Sequence, residues 1–70
     1  MSEIKAPMAG KIVDVKVNVG DAVREQDEVV VLEAMKMEVP IFAGVSGTVK
    51  QMNCKKGDAV PGEFVLMVIE

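Results

Sequence analysis

Hydrophobic and polar positions alternate strictly over "VDVKVNV", residues 13–19. The alternation places Val13, Val15, Val17 and Val19 on one face of a predicted strand and Asp14, Lys16 and Asn18 on the other. Two further apolar runs, "VVVL" from Val29 and "VLMVI" from Val65, are short, continuous and rich in β-branched residues. That length and composition predict strands buried on both faces rather than helices. Pro7, Pro40, Pro61 and the glycines break most of the chain into windows too short for an ordinary helix. The expected fold class is therefore all-β: several short strands in two small antiparallel sheets, packed as a sandwich or flattened barrel.

The pattern also repeats. "GKIVDVKVNVGDAVREQDEVVVLE" (10–33) aligns without a gap on "GTVKQMNCKKGDAVPGEFVLMVIE" (47–70), at an offset of 37 residues, Gly20 onto Gly57. Both copies contain "GDAV", and both close on an apolar run ending in Glu. Met52 and Cys54 fall where Val15 and Val17 stand. Gly20-Asp21 and Gly57-Asp58 read as matched turns, with the aspartates as turn caps. Two copies are too few for a solenoid, so residues 1–70 are expected to form one domain of two halves related by a pseudo-two-fold. One end of the molecule should then carry the connection between the copies, and the other end the chain termini.

That connection holds "EAMKME", residues 33–38. With strands at Val29–Ala34 and Met37–Phe42, the turn is left to Met35-Lys36. Two-residue hairpin loops favour positive φ, hence Asn-Gly or Gly-X, and Met-Lys gains nothing from that geometry. A lysine at a strand end is ordinarily a solvated charge, and a methionine beside it the edge of a core. Two methionines at one tip cannot both point inward, and Glu33 and Glu38 bracket them symmetrically. Local structure does not account for the choice, which points to interaction or modification.

Composition narrows the classes. A net charge of -3 and the absence of Trp and Tyr argue against nucleic-acid binding. With no His, the chain lacks the commonest general base and zinc ligand, which argues against an enzyme in its own right. The single Cys54 cannot form an internal disulfide; it is expected to be a core thiol in a reducing compartment, the cytoplasm. No signal-peptide pattern and no run of about 18 apolar residues is present, so membrane insertion is not expected.

"EAMKME" resembles the attachment motif of biotinyl domains, the biotin carboxyl carrier family. The likeness runs along the whole chain, from "APMAGKIVDVKVNVGDAV" through the hairpin to "SGTVKQMNCKKGDAV". It implies a barrel-sandwich hybrid, monomeric by itself, with biotin joined to Lys36 as biotinyl-lysine by a separate biotin protein ligase. It also implies that Met35 and Met37, with Ala34, Glu33 and Glu38, are the residues read by the ligase and by partner subunits. Those partners would be a biotin carboxylase and a carboxyltransferase or decarboxylase, between which a carboxyl group passes to or from an acceptor such as an acyl-CoA or keto acid. The likeness further places Pro7-Met8 beside the hairpin. Lipoyl domains share the hairpin but more often show Asp-Lys-Ala at its tip, so the methionine pair favours biotin over lipoate. A lipoyl or dual carrier, and an unmodified scaffold domain, are the alternative readings. The chain departs from the family at Ala43-Gly44, where Ala-Pro is frequent, and at Gln26-Asp27, where a Gly-Asp turn is common. It shows no protruding thumb insertion. Either a free-standing carrier or one domain of a longer carboxylase fits, and Met1 followed at once by a strand favours the first.

Overall fold

The computed structural model describes all 70 residues, and every regular element is a strand. In chain order these are β1 (Ser2–Lys5), β2 (Gly10–Val15), β3 (Ala22–Val23), β4 (Glu28–Ala34), β5 (Met37–Phe42), β6 (Gly47–Met52), β7 (Ala59–Val60) and β8 (Val65–Ile69). They form two four-stranded antiparallel sheets, ordered β1-β8-β6-β3 and β5-β4-β2-β7. The all-β, two-sheet architecture is the one the pattern predicts. No helix is long and apolar enough to cross a membrane.

The 37-residue offset holds at the level of hydrogen-bonded register. Ile12 pairs with Leu32 as Val49 pairs with Ile69, and Val15 with Val30 as Met52 with Met67. The same offset maps β1 onto β5: Ser2 pairs with Ile69 and Ile4 with Met67, as Val39 pairs with Leu32 and Ile41 with Val30. The structural repeat is thus longer than the one read from 10–33 and 47–70, since it takes in β1 and β5. Its trace in the sequence is short, Ile4 and Ala6 against Ile41 and Ala43. Each sheet draws strands from both halves. The turns cross over too: Ile12 N–H donates to Asp58 O while Val49 N–H donates to Asp21 O, at 2.7 and 2.9 Å. Each sheet is thus completed by strands of both halves.

Two expectations about the strands need correcting. "VVVL" and "VLMVI" are not buried on both faces. Val30, Leu32 and Ala34 point inward, while Val31 is half-buried and Glu33 exposed. The neighbouring Val29 is also buried because the ladder skips it: Glu28 pairs with Phe42 and Val30 with Ile41, which leaves Val29 as the extra residue of a β-bulge. Leu66 is the matching bulge residue in β8. Bulges turn an alternating pattern into a run. The strand expected over 13–19 likewise ends at Val15, with Val13 in a bulge between Ile12 and Asp14. Ile12, not Val13, enters the core, and Val19 is exposed in the turn that follows.

The core is one cluster spanning both sheets, with Ile12, Leu32, Val49, Leu66, Met67 and Ile69 almost fully enclosed. Cys54 belongs to it. Gly20 and Gly57, both at φ 96°, make the matched turns. Asp21 and Asp58 close them by accepting the N–H of Asn18 (2.8 Å) and Lys55 (3.0 Å) through Oδ2. A different constraint acts at Gly10 and Gly47. A Cβ on Gly10 would lie 2.5 Å from Glu33 O, and one on Gly47 would lie 2.7 Å from Glu70 O. Backbone carbonyls cannot retreat as a flexible side chain does. Gly10→Ala should therefore cost about 1–3 kcal/mol, as overpacking does. In a domain of this size that corresponds to a thermal midpoint lower by very roughly 5–20 °C. A melt within a degree or two of wild type would show that the close approach is not constraining.

The β4–β5 hairpin runs the length of its sheet. Its far end, at Glu28 and Phe42, leads within five residues to Gly47, which packs on Glu70. The hairpin tip and the paired termini (Ser2 against Ile69) therefore occupy opposite ends of a molecule 31 Å in its longest extent.

Candidate functional site

β4 and β5 pair down to Ala34 and Met37, which leaves a two-residue loop at Met35-Lys36. Both loop residues have positive φ, 53° at Met35 and 65° at Lys36. Two successive left-handed residues are the signature of a type I′ turn, whose twist matches that of the flanking strands. Side chains with a Cβ adopt this conformation at a cost of roughly 1–2 kcal/mol per residue. Neither residue offers the local hydrogen bonding that lets Asn or Asp tolerate it.

The core ends before the tip does. Ala34 is the last buried residue of β4, whereas Met35 is 90% and Met37 68% exposed. Lys36 is exposed and takes part in neither of the molecule's ion pairs, Lys5–Glu3 and Lys16–Asp14. Just below the tip, Glu33 and Glu38 sit directly opposite one another, both exposed. Like charges facing across an antiparallel pair are destabilising. Four residues in sequence space, Met35, Lys36, Glu33 and Glu38, thus each break a local rule at the same place. Such breaches concentrate at functional sites.

All the residues singled out in "EAMKME" are brought together here. Lys36 is at the apex, the methionines flank it, Ala34 anchors the strand beneath, and the glutamates form the next rung. Of Pro7-Met8, expected beside the hairpin, Met8 lies against Gly62; it is the start of β2 that reaches the hairpin, with Lys11 paired to Glu33. Sequence reasoning passed over Gly10, which lets that segment lie against Glu33; its equivalence with Gly47 in the repeat was the available signal. Cys54 stands apart. It is buried, and burial together with the negative charge of Asp58 pushes its thiol pKa up, which disfavours the reactive thiolate. No three His, Cys, Asp or Glu side chains gather as metal ligands. An open groove on the outer sheet face mixes Asp14, Glu28 and Glu38 with Lys16 and Lys56, and encloses nothing.

The family described as "Biotin-requiring enzyme", the biotin/lipoyl group, matches residues 2–69. The chain belongs to this family. It is 49% identical over 67 residues to the mitochondrial propionyl-CoA carboxylase alpha chain of Homo sapiens, a match covering 96% of this chain and 9% of that one. It is 34% identical to the biotinylated protein TB7.3 homolog of Mycobacterium leprae, covering 96% of this chain and 94% of the relative. Among solved structures, the urea carboxylase of Kluyveromyces lactis superposes with a TM-score of 0.90 at 32% identity, over 99% of this chain and 6% of that one. The lipoyl domain of the 2-oxoglutarate dehydrogenase complex of Azotobacter vinelandii gives 0.85 at 22% identity, over 100% and 96%, a likeness of fold. The chain thus spans less than a tenth of the carboxylase chain it matches, while it is of nearly the same length as the mycobacterial relative.

Met35, 90% exposed, has almost no packing to lose. Met35→Asn should raise the thermal midpoint by a few degrees, because Asn is the better left-handed turn residue. The same change should slow covalent labelling of the tip in a ligase assay. A lower midpoint with normal labelling would mean that Met35 serves the fold.

Proposed function

We propose that residues 1–70 form one biotinyl domain that acts as a carrier, with biotin joined by an amide bond to Nζ of Lys36. The single observation that carries this reading is the coincidence, at one protruding turn, of an unpaired lysine with local choices that all run against the stability of the hairpin. The amine fits the role: it is exposed, free of ion pairs, and held beyond the core on a hairpin anchored along its length. The tip has no His and no catalytic set of its own, so the ligase supplies the general base and the activated acyl group. Met35 and Met37 present soft, adaptable surface to that ligase and to the partner subunits, with Ala34, Glu33 and Glu38 completing the recognised edge.

When attached, biotin carries a carboxyl group between a biotin carboxylase and a carboxyltransferase or decarboxylase. The chain itself performs no chemistry in this scheme; it positions and tethers, raising the effective concentration of the arm at both sites. The named carboxylases among its relatives and the biotinylated mycobacterial protein support biotin over lipoate. Pro40 and Glu38 on the β5 edge discourage strand addition, in keeping with a monomeric domain. The buried, unpaired Cys54 is in keeping with the cytoplasm.

The test is co-expression with a biotin protein ligase, followed by intact mass and peptide mapping. One biotinyl group per chain, captured by streptavidin and mapped to Lys36, is the expected result. A lipoyl adduct on co-expression with a lipoate ligase and no biotinyl adduct, or no adduct with either enzyme, would overturn the reading in favour of a lipoyl carrier or an unmodified scaffold domain.

A further inference from the structure

Burial divides the six methionines of the chain. Met67 is fully enclosed and Met52 is packed against the core, whereas Met35 and Met37 are 90% and 68% exposed on either side of Lys36. Met8, at 42%, and Met1 are the other exposed ones. Exposure governs how readily a thioether meets an oxidant, and oxidation turns a flexible apolar side chain into a polar, chiral one. At most methionines in proteins this damages packing. At this tip there is little packing to damage, because the core stops at Ala34. Oxidation here would change only what an approaching protein meets. The molecule's one thiol, Cys54, is buried away from the tip and does not compete.

We infer that Met35 and Met37 form a reversible oxidation site that controls access to Lys36, an inference that rests on the carrier reading above. The co-reactant is a hydroperoxide. A lone pair of the thioether sulfur attacks the distal peroxide oxygen, an S–O bond forms and the O–O bond breaks. Sulfur is oxidised by two electrons, and the peroxide leaves as water or an alcohol after proton transfer. Methionine sulfoxide reductases, drawing two electrons from a dithiol, reverse the change, one enzyme for each sulfoxide epimer. The reduced tip offers soft apolar surface to the ligase; the sulfoxide tip offers strongly polar oxygens that an apolar contact surface would have to desolvate.

The experiment uses the full chain before labelling. Hydrogen peroxide is titrated in, sulfoxides are mapped by peptide mass, and the biotinylation rate is measured with a biotin protein ligase. Met35 and Met37 should oxidise well before Met67, with the thermal midpoint unchanged to within a few degrees. Biotinylation should then fall about tenfold or more and return after treatment with both reductases. The double variant Met35→Leu, Met37→Leu should show the same rate before and after peroxide, measured against its own untreated value. Labelling that is as fast after oxidation as before would overturn the inference and leave the carrier reading standing. A peroxide effect persisting in the double variant would overturn it as well. No biotinylation of the untreated chain would remove the carrier reading, and this inference with it.

Discussion

Lys36→Gly is expected to abolish covalent labelling while raising the stability of the domain. The two effects have opposite signs because the residue answers two demands. As part of a type I′ turn, position 36 sits at φ 65°, where a Cβ costs roughly 1–2 kcal/mol. Glycine adopts this region freely and gives up about 0.5–1 kcal/mol in chain entropy instead. The balance favours glycine by up to about 1.5 kcal/mol, a rise of up to about 10 °C in the thermal midpoint. Lys36→Arg separates charge from nucleophilicity: its guanidinium stays protonated and cannot form the amide, so labelling should vanish with stability unchanged. Intact mass with a biotin protein ligase reads the first effect, and calorimetry the second. Label appearing on Lys5, Lys11, Lys16, Lys50, Lys55 or Lys56 in either variant would sink the assignment of Lys36. A lower midpoint for Lys36→Gly would show that the lysine side chain stabilises the hairpin.

The same turn shows what a sequence does and does not reveal. The hairpin was legible to within a residue, because apolar runs ended on both sides of Met35-Lys36 and a two-residue loop was the only connection left. The positive φ values followed from loop length alone, whatever residues filled the loop. The pseudo-two-fold was legible from "GDAV" and its ungapped surroundings. What stayed hidden were features that leave no periodic mark. A β-bulge shifts the inward face by one residue, so Val29 beside Val30 looks like a strand buried on both sides, and Val13 looks like a core residue when Ile12 is one. The kinship of β1 and β5 was obscured because edge strands keep few buried positions, here Ile4 and Ile41. Their outward residues, Lys5 and Phe42, diverge. The opposition of Glu33 and Glu38 required the register, although their even placement around the tip was visible. Gly10 and Gly47 required the approach of a backbone carbonyl, which no local pattern encodes.

Exchange of strands between the halves carries the last expectation. Leu32 of β4 and Ile69 of β8 occupy equivalent places, 37 residues apart, and both are almost wholly buried (0% and 1% exposed). Each lies against the glycine that starts the neighbouring strand, Gly10 or Gly47. Truncating a large buried aliphatic side chain to Ala costs about 2–5 kcal/mol. A chain of 70 residues has roughly 4–10 kcal/mol of total stability. Leu32→Ala and Ile69→Ala should therefore each lower the thermal midpoint by at least about 10 °C, and combining them should unfold the domain. The size of the two effects should be similar, within about 1 kcal/mol, because every sheet needs strands from both halves. The consequences for labelling should differ at temperatures where both variants are folded. Leu32 lies beneath the tip, so its loss should loosen the hairpin and slow the ligase, whereas Ile69 supports the end that holds the termini and should leave labelling near the wild-type rate. Equal slowing by both would mean that the tip is positioned by the fold as a whole rather than by the strand beneath it. A several-fold difference in destabilisation would mean that one half folds largely by itself and the other only completes it.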